Sequence, residues 1–537
     1  MASTFRLRFR PLMAATVLAS ALVFWPVSGA MAQVTAYKQA LAEASYGDEA
    51  IGAFYRQNRY QPVWTGEGEL FRARRAALIE ALSLAEIHGL PAARYDVDGL
   101  RAKMTAARTV RDMGLLEVEM SRVFARFAGD IQSGFLTPSK IDEGMVRVVE
   151  RRGAQEYLSE MQAGDPGRYL RGLAPATSQY RALLKLKLGL EQDLARGGWG
   201  PTVPGGKLSP GDTGTRVVQL RNRLIAMGYM DRSAAASYDG TLQKAVQAFQ
   251  VAHGLEPDGV AGDATLEEIN RSVADRLKSV IVALERERWL PRDRGERHIL
   301  VNQTDFTAKI VDHGRVTFET RSVIGMNTSD RRSPEFSDEM EHMVINPSWY
   351  VPRSIITKEY LPKLRANPNA VRHLEITDSR GRQVNRDALD FSQFSTRSFP
   401  FAMRQPPGKG NALGLVKFMF PNKYNIYLHD TPQKHLFARE VRAFSHGCIR
   451  LAQPFEFAYA LLAAQEADPE SFFHGVLNTG RETKVELTRH VPVHIIYRTA
   501  YVDDRGAPGY RRDVYGRDAK IWDAMSRAGV VLSAVQG

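Results

Sequence analysis

The chain has 537 residues, of which 44% are hydrophobic and 25% are charged, and its formal net charge is +12. This composition is that of an ordinary globular protein and excludes an intrinsically disordered chain. At about 150 residues per domain, the length predicts three or four domains. The single cysteine excludes an internal disulfide framework, and it excludes a zinc or iron–sulfur site built from several cysteines of this chain.

The first 32 residues have the pattern of a cleavable export signal. Three arginines precede an apolar stretch, residues 12–27, and Ala30 and Ala32 supply the small residues of a cleavage site after Ala32. The apolar stretch is shorter than the roughly 20 residues of a spanning helix, so retention as a membrane anchor is the less favoured alternative. Cleavage would leave a net charge of +9, because residues 1–32 carry three arginines and no acid. We therefore predict a periplasmic protein suited to anionic wall polymers or lipid headgroups, with no nucleic acid partner, since that compartment normally lacks nucleic acid.

Residues 33–200 are predicted to form a helical scaffold domain. Apolar residues recur at helical spacing in residues 73–84, 115–127 and 180–194. We find no catalytic constellation in this part of the sequence. The stretch that follows, residues 197–206, is rich in glycine and proline and is predicted to be a linker.

Residues 207–270 predict a compact module of three short helices with glycines at its corners. The stretch resembles the peptidoglycan-binding module found in many wall hydrolases and transpeptidases. The residues that carry this resemblance are Gly211, Gly214, Val217, Leu220, Leu224, Gly228, Tyr238, Ala245, Val246, Phe249, Gly254, Leu255, Asp258, Gly259, Gly262 and Thr265. Most of them are core or turn positions, and a domain that only packs against its neighbours would keep the same pattern. Wall binding and simple packing therefore both stay open for this module.

The pattern changes again after the module. Residues 271–297 predict an amphipathic helix that links the module to the next domain. Residues 298–500 show apolar and polar residues in alternation, which predicts a domain made mainly of β-strands. Within it, the irregular stretch 352–411 is rich in Pro, Arg, Asn and Ser and is predicted to be a lid. Residues 501–537 form a charged tail with one predicted helix. The predicted fold class is thus a multidomain α+β protein.

Cys448 lies in the segment FSHGCIRL, residues 444–451. The preceding Gly447 allows a carbonyl group to approach the sulfur, and it leaves main-chain N–H groups free to hold a developing oxyanion. A thiolate is the nucleophilic form of cysteine, so Cys448 would need a base or a positive field nearby. An inert, buried thiol that acts only as a small hydrophobe is the alternative.

Two histidines are candidates for the base. His446 lies on the same turn as Cys448, and His429 lies nineteen residues upstream on a predicted strand, residues 425–429. Alternation along that strand places Tyr427 and His429 on one face, from which the imidazole can reach a facing turn. A metal site on these residues is disfavoured, because their spacings match no common zinc pattern.

A known family shares this arrangement. His429, fifteen residues and then residues 445–450 (SHGCIR) resemble the signature of L,D-transpeptidases with a YkuD-type catalytic domain. Residues 407–422 (PGKGNALGLVKFMFPN) and residues 427–432 (YLHDTP) are similar to the large, multi-domain Gram-negative members. With the scaffold and the module, the resemblance extends over nearly the whole mature chain. Arg450 stands where some members have Asn.

The resemblance implies a cysteine acyltransferase that acts on peptidoglycan stem peptides. Cys448 would attack the carbonyl at the L-centre of meso-diaminopimelate in a tetrapeptide stem, and D-Ala would leave. A side-chain amine of a second stem would resolve the thioester and give a 3→3 cross-link. His429 would accept the thiol proton and return it to the departing amine. No cofactor and no metal are implied, the partners are donor and acceptor stems, and other wall-synthesis proteins stay open as partners.

The turn residues would assist this reaction. Main-chain N–H groups around Gly447 and Cys448 would form the oxyanion site. Ser445 and His446 would shape the turn and contact the substrate.

Three residues near His429 have less defined roles. Arg450 would bind a stem carboxylate or brace the turn, since a guanidinium fork suits either role. Tyr427 would line the substrate pocket. Asp430 is a candidate for the third catalytic residue. Alternation along the strand directs its side chain away from His429, so a main-chain carbonyl is an equal candidate for orienting the imidazole.

Two rival functions stay open. An L,D-carboxypeptidase or amidase would use water in place of the acceptor amine, and the sequence does not separate it from a transpeptidase. A non-catalytic wall-binding protein would contact the wall through residues 207–270 and leave Cys448 inert. The acceptor is undefined as well, and another stem, a free D-amino acid and an attached protein are the candidates.

Overall fold

The computed structural model describes residues 27–532, with the side chains of residues 35–532. The predicted export signal therefore lies largely outside the described residues. Among the helices of the described part, none combines the length and the apolar character needed to cross a membrane. The architecture is α+β, as predicted, with helices in the N-terminal half and a β-rich C-terminal region.

The N-terminal region is helical, which confirms the sequence prediction. Its longest helix starts at a capping box in which the side chains of Thr109 and Asp112 each accept a main-chain N–H of the other. Glu117 on the same helix is fully buried and accepts hydrogen bonds from the Val63 N–H (2.6 Å) and the Tyr55 hydroxyl (2.7 Å). The helices of this region are α1 Val27–Ala44, α2 Glu49–Gln57, α3 Glu69–Ser83, α4 Val97–Ala106, α5 Val110–Ser133, α6 Ala154–Ala163, α7 Pro166–Arg171 and α8 Ser178–Ala195.

The module predicted from residues 207–270 has three short helices around its own apolar core, in agreement with the prediction. Buried Val217, Phe249 and Ile269 come from three different helices of this core. The next helix is buried along most of its length and packs against α8. These helices are α9 Thr215–Ala226, α10 Gly240–Ala252, α11 Asp263–Ile269 and α12 Val273–Trp289.

The C-terminal region is built on a nine-stranded sheet, and the prediction of a mainly β domain is confirmed. Its elements are β1 Arg297–Asn302, β2 Thr307–Asp312, β3 Arg315–Gly325, β4 Phe336–Ile345, β8 Val416–Met419, β9 Leu428–His429, β10 Ala443–Ser445, β11 Ile449–Leu451, α15 Pro454–Leu462, α16 Pro469–Leu477 and β12 Thr483–Ile496. The strand order is β10-β3-β11-β9-β8-β4-β12-β1-β2. Because β2 also pairs with β3, eight of these strands close into a ring with β10 attached outside it.

The segment 352–411 is folded, which corrects the expectation of an irregular insertion. Its elements, with the strand that precedes it, are β5 Trp349–Tyr350, α13 Arg353–Ile355, a π-helical turn Ile356–Tyr360, α14 Leu361–Ala366, β6 Glu375–Thr377 and β7 Ala402–Gln405. The three strands form a small sheet, and buried Leu361, Ile376 and Phe399 belong to an apolar core of its own. Scattered aliphatic and aromatic residues supply this core, and because their spacing is irregular, sequence periodicity did not predict it. We call residues 352–411 the lid subdomain.

Residues 501–537 were expected to form a tail, and their described part, up to residue 532, packs into the protein. Arg517 is fully buried and forms ion pairs with Glu335 (3.1 Å) and Asp142 (3.5 Å). Asp142 belongs to the N-terminal helical region and Glu335 to the β-rich region, so the C-terminal segment fastens the two together. Its elements are β13 Ala500–Val502, β14 Pro508–Tyr510 and α17 Arg517–Arg527.

Candidate active site

The strands β9 and β11 bring the candidate catalytic residues to one face of the sheet. They are parallel neighbours, and Arg450 lies opposite His429 in their register. Cys448, two residues before Arg450, therefore lies beside Tyr427. Side chains two residues apart on a strand point to the same side, and all four of these residues line one cavity. The predicted strand 425–429 is shorter than expected, but the predicted pairing of Tyr427 with His429 on one face is correct.

The cavity has a volume of about 770 Å³, which is in the range of small-ligand sites. The catalytic strands and turn form one wall. The lid subdomain forms the other, with Ile355, Glu359 and Tyr360 among its contributions. A peptide substrate would lie between the two walls.

Cys448 is partly exposed, and its thiol is held by two neighbours. The sulfur donates to the main-chain carbonyl of Asn425 at 3.4 Å, and the Tyr427 hydroxyl forms a hydrogen bond with the thiol. Desolvation by the surrounding protein raises the thiol pKa to about 11, although Tyr427 and the positive charge of Arg450 oppose this shift. Burial raises the pKa of Tyr427 well above 10, so its hydroxyl stays protonated and available as a donor. The resting thiol is therefore neutral at neutral pH.

His429 is buried, and main-chain groups orient its ring. The Nδ1 atom lies 2.5 Å from the Asp430 carbonyl, and the main chain of Leu413 forms a second hydrogen bond with the ring. Burial first and the charge of Arg450 second lower the imidazole pKa to about 3, whereas both main-chain contacts favour the protonated ring. Among the described residues, the hydrogen-bond partners of the Cys448 thiol are Asn425 and Tyr427, so the thiol and imidazole are not directly paired in this conformation.

The Asp430 carboxylate faces away from the imidazole. It accepts the Leu415 N–H (2.9 Å) and the Lys434 ammonium (2.6 Å). The group that orients His429 is thus the Asp430 carbonyl, which decides between the two partners that the sequence left open. The carboxylate instead fixes the segment beside Leu413, whose main chain contacts the ring.

The turn 445–448 is braced by buried hydroxyl groups. The Ser445 hydroxyl donates to the Cys448 carbonyl (2.5 Å) and accepts the Gly447 N–H (3.1 Å). From the opposite side, the Ser333 hydroxyl donates to the Gly447 carbonyl (2.6 Å). Gly447 has φ of +116° and a Cβ there would lie 3.2 Å from Ile426, so the turn requires glycine.

This bracing corrects two expectations about the turn. The Gly447 N–H already donates to Ser445, so it is not free to hold an oxyanion. The Cys448 N–H makes no hydrogen bond to any described residue, and it remains as the main-chain donor beside the sulfur. The single donor hydrogen of Ser445 is used within the turn, and therefore this hydroxyl shapes the turn and does not donate to a substrate in this conformation.

His446 is tied to the lid subdomain. Its Nε2 atom lies 2.6 Å from a carboxylate oxygen of Glu359, and Arg331 lies 2.7 Å from the same oxygen. The neighbouring Lys358 pairs with Asp330 at 2.8 Å. Two adjacent residues of the lid subdomain thus fasten it to the rim of the cavity.

Arg450 lines the cavity with a guanidinium that is only partly satisfied. One terminal nitrogen donates to the Gln433 side chain at 2.5 Å, and the Nε atom has no partner among the described residues. The Nε atom is itself buried, whereas the second terminal nitrogen makes no hydrogen bond to a described residue and is the donor that a ligand in the cavity could use. Within residues 27–532, no group of three or more His, Cys, Asp or Glu residues is arranged to hold a metal ion.

Four contributors to the site were not found from the sequence: Glu359, Arg331, Ser333 and Asn425. Glu359, Arg331 and Ser333 reach the site through long-range packing, and nothing in their local sequence marks them. Asn425 was predicted as the first residue of the strand 425–429, but it has a left-handed φ of +55°, a conformation that Asn adopts more readily than most residues.

Three family models match separate parts of this chain. The model described as "L,D-transpeptidase catalytic domain" (YkuD) matches residues 296–486, which include Tyr427, His429 and Cys448. Residues 296–486 are an L,D-transpeptidase catalytic domain. The other two models are described as "Scaffold domain", which matches residues 49–186, and "Putative peptidoglycan binding domain", which matches residues 213–269. The chain thus combines a catalytic domain of this family with a scaffold and a peptidoglycan-binding domain.

One curated relative bears the name of this family. A curated protein of Haemophilus influenzae named "Putative L,D-transpeptidase" is 31% identical over 237 residues, which cover 43% of this chain and 47% of the relative. The match thus spans about half the length of that relative. A solved L,D-transpeptidase from Xylanimonas cellulosilytica is 16% identical, covers 55% of this chain and 98% of its own, and has a TM-score of 0.16. A solved L,D-transpeptidase from Stackebrandtia nassauensis is 14% identical, covers 55% of this chain and 97% of its own, and has a TM-score of 0.22.

Proposed function

We propose that this protein is a periplasmic L,D-transpeptidase that forms 3→3 peptidoglycan cross-links through a thioester on Cys448. The observation that carries the proposal is the shared cavity wall of Cys448, Tyr427, His429 and Arg450 within the matched catalytic domain. The wall-acting domains favour a location outside the cytoplasmic membrane. Donor and acceptor stem peptides are the proposed partners.

The reaction begins with proton transfer from Cys448 to His429. In the resting conformation the thiol faces Asn425, so the side chain must rotate or a water molecule must bridge the gap. Burial and the charge of Arg450 disfavour the protonated imidazole, and the main-chain groups of Asp430 and Leu413 offset this only in part, so His429 holds the proton only briefly before it passes to the leaving amine. The thiolate that forms is stabilised by the Tyr427 hydroxyl and by the charge of Arg450.

Acylation follows at the L-centre carbonyl of meso-diaminopimelate in the donor stem. The sulfur forms a bond to the carbonyl carbon, and the oxyanion is held by the Cys448 N–H and by the Tyr427 hydroxyl as the sulfur releases it. The carbon–nitrogen bond to D-Ala then breaks, and His429 gives its proton to the departing amine. A thioester on Cys448 and free D-Ala are the products of this half-reaction.

The second half-reaction transfers the acyl group. The side-chain amine of an acceptor stem attacks the thioester, its proton passes to His429, and the sulfur leaves as a thiolate that is reprotonated. The product is an amide bond between two diaminopimelate residues, and the enzyme is regenerated. Water in place of the amine would give a tripeptide, which is the carboxypeptidase reaction.

Purified protein incubated with tetrapeptide muropeptides tests this proposal. We expect cross-linked dimers and released D-Ala, and the Cys448→Ala variant should give neither. Monomeric tripeptide without dimers would favour the hydrolase. Unchanged tetrapeptide with a folded wild-type protein would favour a wall-binding protein without catalysis.

A further inference from the structure

A second cavity has a volume of about 440 Å³ and shares no lining residue with the cavity that contains Cys448. Five segments enclose it: one face of α8, the linker residue Trp199, the peptidoglycan-binding domain, Arg276 of α12 and the β13–β14 hairpin. Its volume is sufficient for a small-ligand site. We call this cavity the composite cleft, since no single domain forms it.

The face of α8 in the composite cleft is kept open by a glycine. Ala182, Leu186, Gly189 and Asp193 line the cleft at helical spacing. Glycine in the middle of a helix lowers the stability of the helix relative to alanine. A Cβ at Gly189 would meet no atom within 4 Å, and packing within the chain therefore does not require a glycine. This face of α8 therefore borders open space, which a large side chain at residue 189 would fill.

The other walls present aromatic rings with unused polar atoms. Trp199 and Tyr229 are partly exposed, and the Trp199 indole is oriented by a hydrogen bond to Asp193 at 3.3 Å. Tyr510 is 5% exposed, with the His253 ring stacked at 5.4 Å and the Arg276 guanidinium 4.6 Å from its ring centre. The Tyr510 hydroxyl makes no hydrogen bond to any described residue, and it does not belong to the buried polar atoms that lack a partner, so it is accessible from the cleft.

The charges around the composite cleft largely cancel. Arg276 pairs with Glu268 at 2.8 Å, and Asp193 accepts the Trp199 indole. Lys185 is exposed on the cleft face of α8 and forms no ion pair with a described residue. A stem peptide with several carboxylates would need a more cationic surface than this. Uncharged sugar rings, which have one apolar face and many hydroxyl and amide groups, fit aromatic walls that also offer the Tyr510 hydroxyl and the Lys185 ammonium.

We propose that the composite cleft binds the sugar strand of peptidoglycan. Trp199 and Tyr229 provide faces for the sugar rings, and the Tyr510 hydroxyl and the Lys185 ammonium provide hydrogen bonds. This inference deepens the proposed function by naming the part of the wall that the protein holds, but it does not depend on the chemistry at Cys448. Wall attachment would then require the domain of residues 213–269 together with α8 and the hairpin.

Binding is tested with the full chain carrying Cys448→Ala, so that turnover does not interfere. The probes are glycan strands freed of stem peptides by an amidase and, separately, a soluble tetrapeptide stem. The obstructing variant is Gly189→Trp, which fills the cleft from a position with free space around it, and its matched control is Gly189→Ala. A second variant, Tyr510→Phe, removes one hydroxyl group only.

We expect glycan binding to weaken at least tenfold in Gly189→Trp and about fivefold in Tyr510→Phe, and to stay within twofold in Gly189→Ala. Undiminished glycan binding in both Gly189→Trp and Tyr510→Phe would overturn the proposal, as would binding of the tetrapeptide alone. With Cys448 restored, these variants should still cross-link soluble muropeptides. Loss of binding and loss of cross-linking are thereby measured separately, and failure of one proposal is distinguishable from failure of the other.

Discussion

The Glu359 carboxylate and the His446 imidazole meet at 2.6 Å, and this contact joins the lid subdomain to the turn that carries Cys448. Arg331 shares the same carboxylate oxygen at 2.7 Å. We propose that this pair of contacts holds the lid subdomain against the cavity, and that its release admits the donor stem. Opening would require one carboxylate to leave two partners at once.

Glu359→Gln should therefore loosen the lid subdomain. Its loss of charge weakens both contacts, and we expect hydrogen exchange in residues 353–366 to accelerate about tenfold. The control is Lys358→Gln, which removes the adjacent and more exposed pair with Asp330, where an ion pair contributes little. Equal exchange rates in the two variants, measured by mass spectrometry, would contradict a latch at Glu359.

Ser333 positions the turn 445–448 through a hydrogen bond to its main chain. Its hydroxyl donates to the Gly447 carbonyl and accepts the Gly325 N–H at 3.0 Å, and the Tyr515 hydroxyl donates to the Gly325 carbonyl at 2.6 Å. Ser333→Ala leaves a buried carbonyl and a buried N–H unpaired, which costs about 1–3 kcal/mol of folding stability. We expect kcat to fall tenfold or more with little change in KM, because the turn 445–448 would shift and displace the Cys448 sulfur from its position in the cavity.

A nearby serine gives a matched control. The Ser322 hydroxyl is buried on β3, the strand that ends at Gly325, and has no hydrogen-bond partner among the described residues. Ser322→Ala should therefore be neutral or slightly stabilising in thermal unfolding and should keep full activity. A Ser333→Ala variant with the kcat of Ser322→Ala would show that the hydroxyl brace is dispensable.

The thiol of Cys448 should react slowly near neutral pH. Because its pKa is raised from 9.0 to about 11, the thiolate fraction below pH 9 is about 100-fold smaller than for an unperturbed thiol, and it grows tenfold per pH unit. Iodoacetamide labelling of the free protein should follow this slope up to about pH 11. Tyr427→Phe removes a hydrogen bond that lowers the pKa and should slow labelling further. A labelling rate that is level above pH 8 would contradict the desolvated thiol.

Arg450→Gln tests the two roles left open for this residue. If the guanidinium binds a donor carboxylate, its loss removes a charge-assisted hydrogen bond, and KM for the donor should rise about 10–100-fold with kcat nearly unchanged. Gln433→Ala removes only the partner that braces Arg450 and should leave KM within about threefold. A fall in kcat shared by both variants, with KM unchanged, would assign Arg450 to bracing.

The sequence predicted those features that depend on local pattern. Helical spacing found α8 and the three helices of the module, and alternation placed Tyr427 and His429 on one face. Alternation also made a main-chain carbonyl an equal candidate for the partner of His429, because it placed the Asp430 side chain on the other face. These inferences need only the period of a helix or strand.

Long-range contacts were beyond this reasoning. Glu359 lies 87 residues from His446, and Ser333 lies 114 residues from Gly447, so no local pattern links them. The lid subdomain folds around aliphatic and aromatic residues without a regular period. The use of the Gly447 N–H within the turn depends on the rotamer of Ser445, which a sequence does not specify.

Acylation of Cys448 is the central claim, and intact-mass spectrometry of the protein with a carbapenem, a mimic of the stem peptide, tests it most directly. The account predicts a mass increase of one adduct that maps to the peptide containing Cys448, forms more slowly in His429→Gln and is absent in Cys448→Ala. A folded wild-type protein whose mass stays unchanged, or an adduct that persists in Cys448→Ala, would contradict it.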